Sequence, residues 1–360
     1  MDVEIPIQRL TDWGMFIKDK LFIAGPCSVE SYEQLMKTAV ALGEHKVNIL
    51  RAGIWKPRSR PGSFEGVGRK GLEWLKNVSK VVKLPVAVEV AQPDHVEACL
   101  KQGIDVLWIG ARTTSNPFSL QALADSLRGV DIPVMVKNPI SPDIFLWLGA
   151  IERLHRAGIK KIAAIHRGFS SAETKLYRNK PEWRIPIELK RQIPDMPLIC
   201  DPSHICGKKE LLFSVSQEAM DLLYDGLMIE VHINPGQALS DREQQITPGE
   251  YGVLLKHLKQ KKISNNSPDF QQNIKLLRQE IDEVDNHIIE LLARRMAIVR
   301  KISVCKRKND ISLFQPDRWN EIVKSRIKAG KGKKLSEDFM FQVYQSIHEE
   351  AIRHQEEEEH

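Results

Sequence analysis

The sequence is short of cysteine, long apolar runs and any strong excess of one charge, and each shortage removes a class of protein. Five cysteines at scattered spacings, with no CxxC pair, indicate neither a disulfide framework nor a cysteine-rich zinc site, so any special thiol must act singly. The longest apolar runs fall well short of the roughly 20 residues that a membrane span needs. The opening Met1-Asp2-Val3-Glu4 has neither the basic start nor the apolar core of an export signal, and a cytoplasmic location is expected. A net charge of +6 is modest and suits small polyanions as well as nucleic acid. No basic stripe with aromatic neighbours is visible, so neither nucleic acid nor membrane is an expected partner.

What is present is a rhythm. From residue 21 to about 232, short apolar runs alternate with longer amphipathic stretches, the pattern of repeated βα units around a parallel sheet. The runs are Leu21 to Pro26, Val47 to Ala52, Pro85 to Val90, Val106 to Gly110, Pro133 to Lys137, Lys161 to Ile165, Pro197 to Asp201 and Gly226 to Val231. Tyr32 to Leu42, Ile144 to Arg156 and Glu210 to Tyr224 are long enough for the crossovers that parallel strands require. The expected fold class is α/β, a closed (β/α)8 TIM barrel over residues 1–260. A last barrel helix is expected from about Thr247 to Leu258, then a polar, turn-rich linker over 261–269. From 270 to 355, Ile274, Leu277, Ile281, Val284, Ile288 and Leu291 step by three and four, which predicts a small all-α domain of one long and two shorter helices. Residues 356–360 read as a solvated acidic tail.

The apolar runs end in reactive or charged groups: Cys27, Arg51, Glu89, Arg112, Lys137, Arg167, His204 and Glu230. In a (β/α)8 barrel the carboxyl ends of the strands converge on the catalytic face, so these groups are expected to meet. Any one of them alone could be a solvent-facing turn residue. Arg51, Lys56, Arg58, Arg112, Lys137 and Arg167 would repel each other in one cleft unless an anion of several charges lay between them, which suits a phosphorylated substrate. Cys27, His204, Glu230 and Asp241 mix thiolate, imidazole and carboxylate as borderline divalent metals accept them. A buried cysteine for packing and a structural histidine are the bland alternatives.

At these residues the chain resembles the type I synthases of 3-deoxy-D-arabino-heptulosonate 7-phosphate (DAHP). The matching segments are Gly25-Pro26-Cys27-Ser28-Val29-Glu30, Lys56-Pro57-Arg58-Ser59, Gly110-Ala111-Arg112-Thr113-Thr114, Asp201-Pro202-Ser203-His204, Leu227-Met228-Ile229-Glu230-Val231-His232 and Leu239-Ser240-Asp241. The resemblance implies Cys27, His204, Glu230 and Asp241 as ligands of a divalent ion (Mn, Fe, Co or Zn). It implies Arg51, Lys56, Arg112, Lys137 and Arg167 as the phosphoenolpyruvate site, and Lys56, Pro57, Arg58 and Ser59 as the grip on erythrose 4-phosphate. Lys56 and Lys137 are counted with His232 as catalytic, and Glu89 and His232 are the candidates for proton handling. A rival acceptor is arabinose 5-phosphate, whose synthases carry Lys-Ala-Asn-Arg-Ser where this chain has Lys56-Pro57-Arg58-Ser59.

In the helical region the apolar seam is broken at Arg295, and Lys306 lies eleven residues later, about 16 Å farther along the same face. Two cations there suggest a dianion, or two solvated residues at a fraying end. The region resembles the all-helical chorismate mutases through Leu277-Arg278-Gln279-Glu280-Ile281-Asp282, Leu291-Leu292-Ala293-Arg294-Arg295, Lys306, Pro316-Asp317-Arg318 and Gln355. By that resemblance Arg278, Arg295, Lys306 and Gln355 act on chorismate, which becomes prephenate, and Arg318 lines the pocket. Trp319 stands where the family usually has glutamate, and Gln315 where an aspartate can occur. Arg278 and Arg295 are seventeen residues apart, about 25 Å along one straight helix, so Arg278 is expected to serve a partner chain's site. A homo-oligomer, at least a dimer, follows. The second domain is expected to be a mutase, a sensor that restrains the synthase, or both.

Overall fold

The computed structural model describes residues 5–15, 17, 19–56, 62–171, 176–261, 267–312 and 314–356, with the side chain of residue 356 left aside. The chain divides into two compact units, Met1–Ile263 and Ser264–His360.

In the first unit eight parallel strands close into a barrel in chain order: β1 (Leu21–Gly25), β2 (Ile49–Ala52), β3 (Val86–Val90), β4 (Val106–Ile109), β5 (Val134–Lys137), β6 (Ile162–His166), β7 (Leu198–Cys200) and β8 (Gly226–Glu230). Closure is made by β1 on β8, from Leu21 opposite Gly226 to Gly25 opposite Glu230. The crossovers are α1 (Tyr32–Leu42), α2 (Lys70–Val82), α3 (Pro93–Gln102), α4 (Pro117–Ser126), α5 (Ile144–Arg156), α6 (Arg184–Gln192), α7 (Leu212–Asp221) and α8 (Pro248–His257). Helix α8 starts where the sequence pattern puts it. Thr247 and Glu250 form a reciprocal capping box there, which satisfies amide groups that the first helical turn leaves unpaired.

The strands are apolar on both faces because one face meets the helices and the other fills the barrel. Side chains alternate between the two. Phe22, Leu50, Val88, Leu107, Val136, Ala164, Leu198 and Leu227 belong to the outer core under the helices. Leu21, Ile23, Ile49, Ala87, Val106, Trp108, Met135, Ala163, Ile165, Ile199 and Met228 form a separate inner core. Leu10, Trp13 and Ile17 join that inner cluster from the amino-terminal segment, and the amide of Gln8 donates to the carbonyl of Lys160, so this segment closes the mouth where the strands begin.

The second unit holds α9 (Pro268–Arg307), α10 (Pro316–Lys331) and α11 (Glu337–Glu356). Helix α9 begins at Pro268, two residues ahead of the expected boundary at 270 and inside the stretch read as linker. Its carboxyl half packs Met296 and Val299 against Ala351 and Ile347 of α11, while α10 packs on α11. Leu277, Ile281, Val284, Ile288 and Leu291, earlier on α9, are exposed. Among the described residues no helix is long and apolar enough to cross a membrane.

Candidate active site

The strand alternation builds the site. Two residues beyond the inner-core positions Ile23, Ile49, Ala87, Trp108, Met135, Ile165, Ile199 and Met228 stand Gly25, Arg51, Glu89, Gly110, Lys137, Arg167, Asp201 and Glu230. The period of two keeps these on the inward side, so the next layer up the barrel is ionic, with two gaps. The gaps are needed. Gly25 has φ +150°, and a Cβ there would lie 2.0 Å from the Arg51 carbonyl oxygen, while a Cβ at Gly110 would lie 2.1 Å from Glu89 Oε1.

Arg51 is fully buried, its guanidinium 5.0 Å above the Trp108 ring and its Nη2 3.1 Å from Glu230 Oε1. Lys137 Nζ lies 2.8 Å from Asp201 Oδ2, and His204 Nδ1 is 2.8 Å from that same oxygen. Burial by itself would raise the Asp201 carboxyl, but His204 and Lys137 outweigh it and hold it well below the usual range. Glu230 is also lowered against its burial, by His204, Arg51 and Lys56. A cleft of about 510 Å³ opens over this layer, with Lys56, Glu89, Arg112, Lys137, Arg167 and Arg178 on its wall.

Beside the cleft, ligand atoms of Cys27, Glu230 and Asp241 lie within 4.8 Å of one another. Cys27 Sγ is 3.1 Å from Asp241 Oδ2 and 3.0 Å from Lys56 Nζ, which also donates to the Cys27 carbonyl. His204 stands at the edge of the group, its Nε2 3.7 Å from Glu230 Oε1. Ligands on opposite sides of a first-row divalent ion lie about 4.5 Å apart, so this spacing fits one ion. The buried Glu230 Oε1 accepts no hydrogen bond of good geometry among the described residues, whereas Oε2 accepts from Gln244 at 2.7 Å. A buried acceptor left over beside a thiol, a carboxylate and an imidazole is the donor set of a borderline metal. Burial pushes the Cys27 thiol up to about 12 in the ion's absence. Asp241 is held at φ +47°, and Ser240 beside it hydrogen-bonds Ser28, which fixes the loop against Cys27.

Of the residues expected from sequence, Cys27, Arg51, Lys56, Glu89, Arg112, Lys137, Arg167, His204, Glu230 and Asp241 are brought to this region. Pro57, Arg58 and Ser59 lie outside the described residues. His232 is buried but absent from the cleft wall, with Nε2 3.7 Å from Glu30 Oε2 and Nδ1 accepting from the Asn234 amide. Three participants were not assigned from sequence. Asp201 directly follows β7 in step with its inward row and was legible by parity. Arg178, whose Nη1 donates to Asp241 Oδ1 at 2.8 Å and to Gln244 Oε1 at 2.7 Å, comes from a loop with no periodic signal. Asn179 follows it, accepting from Arg167 and donating to the His204 carbonyl.

In the helical unit Arg278 is exposed on α9, Arg295 and Lys306 are half-buried, and Arg318 is exposed on α10 and paired with Glu321. Gln355 is buried on α11, its side-chain Nε2 donating to the Ala351 carbonyl, while its backbone carbonyl accepts from Ser303 Oγ of α9. Burial lowers the Arg295 guanidinium, Tyr344 opposing this and Arg326 adding to it.

Comparison with known proteins agrees with both halves. The model described as the DAHP synthetase I family matches residues 16–266, and that of chorismate mutase type II matches residues 277–356. A phospho-2-dehydro-3-deoxyheptonate aldolase of Thermotoga maritima is 34% identical over 237 residues, covering 66% of this chain and 68% of the relative. A 2-dehydro-3-deoxyphosphooctonate aldolase of Variovorax paradoxus is 30% identical over 264 residues, 66% of this chain and 86% of the relative. Among solved structures, a phospho-2-dehydro-3-deoxyheptonate aldolase (DAHP synthase) of Thermotoga maritima superposes with a TM-score of 0.63 at 31% identity, covering 70% of this chain and 72% of that one. A truncated form of 3-deoxy-D-arabino-heptulosonate 7-phosphate synthase from the same organism gives 0.60 at 29% identity, with 70% and 90% covered.

Proposed function

The chain belongs to the DAHP synthetase I family and carries a chorismate mutase type II region behind its barrel, and on that premise we propose an enzyme with two activities. The barrel condenses phosphoenolpyruvate with erythrose 4-phosphate to give DAHP and phosphate, and the helical unit rearranges chorismate to prephenate. The observation that carries the first half is the gathering of Cys27, Glu230 and Asp241, with His204 at their edge, beside a cleft walled by Lys56, Arg112, Lys137, Arg167 and Arg178. So many cations in one cleft need an anion of several charges between them, and each charge-assisted contact contributes roughly 1.5 to 3 kcal/mol.

In this reading Cys27, His204, Glu230 and Asp241 hold a divalent ion of the Mn, Fe, Co or Zn class, which supplies Lewis acidity toward the aldehyde oxygen when bound. Arg112, Lys137 and Arg167 hold the phosphate and carboxylate of phosphoenolpyruvate. Burial lowers the Arg167 guanidinium to about 10, so it stays charged at neutral pH. Arg51, in the same layer, keeps Glu230 ionised, and Asp201 orients Lys137. The enol carbon of phosphoenolpyruvate attacks the aldehyde, water adds to the carbon left cationic, and phosphate departs. Glu89, a carboxylate on the cleft wall, takes the proton of that water in this reading, since His232 does not line the cleft.

The mutase needs no covalent step, only a compact substrate and cations facing the oxygen that gains charge. Arg295, Lys306, Gln355 and Arg318 would serve one chain's pocket and Arg278 a partner's. The exposed stripe Leu277, Ile281, Val284, Ile288 and Leu291 supports a homodimer, because an apolar face on a helix about 60 Å long calls for a cover. A cytoplasmic site of action and inhibition of the barrel by chorismate or prephenate belong to the same proposal. Its test is phosphate release from phosphoenolpyruvate with erythrose 4-phosphate or arabinose 5-phosphate as acceptor, with and without chelator, and chorismate loss in a separate assay. Turnover with erythrose 4-phosphate that a chelator abolishes and Mn restores is expected; metal-independent turnover, or preference for arabinose 5-phosphate, overturns the barrel assignment.

A further inference from the structure

In the helical unit Trp319 of α10 and His348 of α11 lie face to face, ring centroids 4.2 Å apart and planes 15° from parallel, with Phe314 5.8 Å from the same imidazole. The charges acting on His348 are Arg295 and Lys306 of α9, both positive, and its own chain neighbour Glu349. His348 Nε2 is buried and has no hydrogen-bond partner among the described residues. A buried polar atom in that condition calls for an explanation, since native proteins rarely leave one unmatched. Stacking on Trp319 fixes the plane of the ring and so the direction in which Nε2 points. Burial, reinforced by Arg295, holds the imidazole below its ordinary range, so at neutral pH it is uncharged and carries one donor and one acceptor. Arginine and lysine can only donate, which suits carboxylates. A hydroxyl can both donate and accept a hydrogen bond, so it can pair with the oriented Nε2 in either tautomer, and the two nearby cations leave that role to the neutral imidazole.

We propose that His348 is a substrate-contacting residue of the mutase pocket, its Nε2 hydrogen-bonding the ring hydroxyl of the bound dicarboxylate while Trp319 serves as the platform that orients it. This rests on the mutase reading of the helical unit. The contact is made in substrate and transition state alike, so its loss acts on KM more than on kcat.

The test uses the full-length chain and chorismate, with turnover followed across pH and binding by calorimetry. His348→Leu should raise KM about tenfold, the loss of one hydrogen bond of roughly 1.4 kcal/mol, with kcat little changed. His348→Gln should recover most of the affinity. In the wild type, KM should fall as pH drops through the imidazole titration, because the protonated ring adds a cation beside the dianion; His348→Gln should lose that dependence. Trp319→Phe keeps an aromatic platform and should cost less than Trp319→Leu. A wild type that turns over chorismate beside His348→Leu and His348→Gln variants of unaltered KM and pH profile overturns this assignment alone. A wild type that neither binds nor turns over chorismate removes the mutase reading and the assignment together.

Discussion

At the scale of single residues, three side chains carry checkable consequences. His166 is buried, its Nε2 donating to the Pro181 carbonyl at 2.6 Å, which leaves Nδ1 to accept from Tyr224 Oη at 2.9 Å. A carbonyl only accepts, so Nε2 carries a proton. Burial lowers the imidazole to about 3. The folded value lies below the unfolded one of about 6.5, so unfolding takes up a proton between them. The stabilisation is therefore complete above about pH 6.5 and is lost as pH falls toward 3, at up to about 1.4 kcal/mol per pH unit. Melting temperature followed from pH 7 to pH 4 should fall, and His166→Gln, less stable at pH 7, should show a shallower fall. Arg178→Met removes a cation from the cleft wall and the partner of Asp241, so KM for the phosphorylated substrates should rise at least about tenfold and metal retention should weaken. Cys27 must shed a proton to bind an ion, so metal affinity should increase with pH, and Cys27→Ala should lose both metal and synthase activity while chorismate turnover persists.

At the scale of elements, the barrel strands show how a period of two becomes a catalytic layer. The same alternation that puts Ile49, Met135 and Met228 into the inner core puts Arg51, Lys137 and Glu230 two residues farther up, facing one another. The glycines at the two remaining positions are part of that layer. Gly110→Ala should displace Glu89 and depress synthase turnover at least about tenfold with the fold retained, as circular dichroism would record, because the added methyl meets Glu89 Oε1. On α9 the apolar stripe and the packed carboxyl half divide one helix into two environments. If the proposed homodimer forms through this stripe, Ile281→Asp should shift the molecule to monomer in sedimentation and, by withdrawing Arg278 from the proposed partner's site, lower chorismate turnover; unchanged sedimentation would overturn the dimer.

At the scale of the whole molecule, the two compact units have separate cores and separate chemistry. A chain ending at residue 265 should therefore keep a folded barrel and condensation activity. The joined chain should respond to chorismate or prephenate at its synthase site and the shortened one should not; an undiminished response would remove the sensor role of the helical unit. On the proposed homodimer the α-helical unit alone should melt in a concentration-dependent way, because the exposed stripe of α9 would be covered by a second copy.

The sequence by itself determined the barrel, its strand boundaries to within one or two residues, the helical character of the second unit, and ten of the residues around the barrel's site. Strand alternation and helical periodicity are local, and a closed barrel sends every strand's carboxyl end to the same rim, so position along the chain becomes position in space. Only the tertiary structure decided the rest. Arg178 and Asn179 reach the cleft from an irregular loop, His232 turns from the cleft toward Glu30, and Trp319 meets His348 across two helices. These arrangements arise from packing between segments far apart in sequence, and no spacing along the chain encodes them.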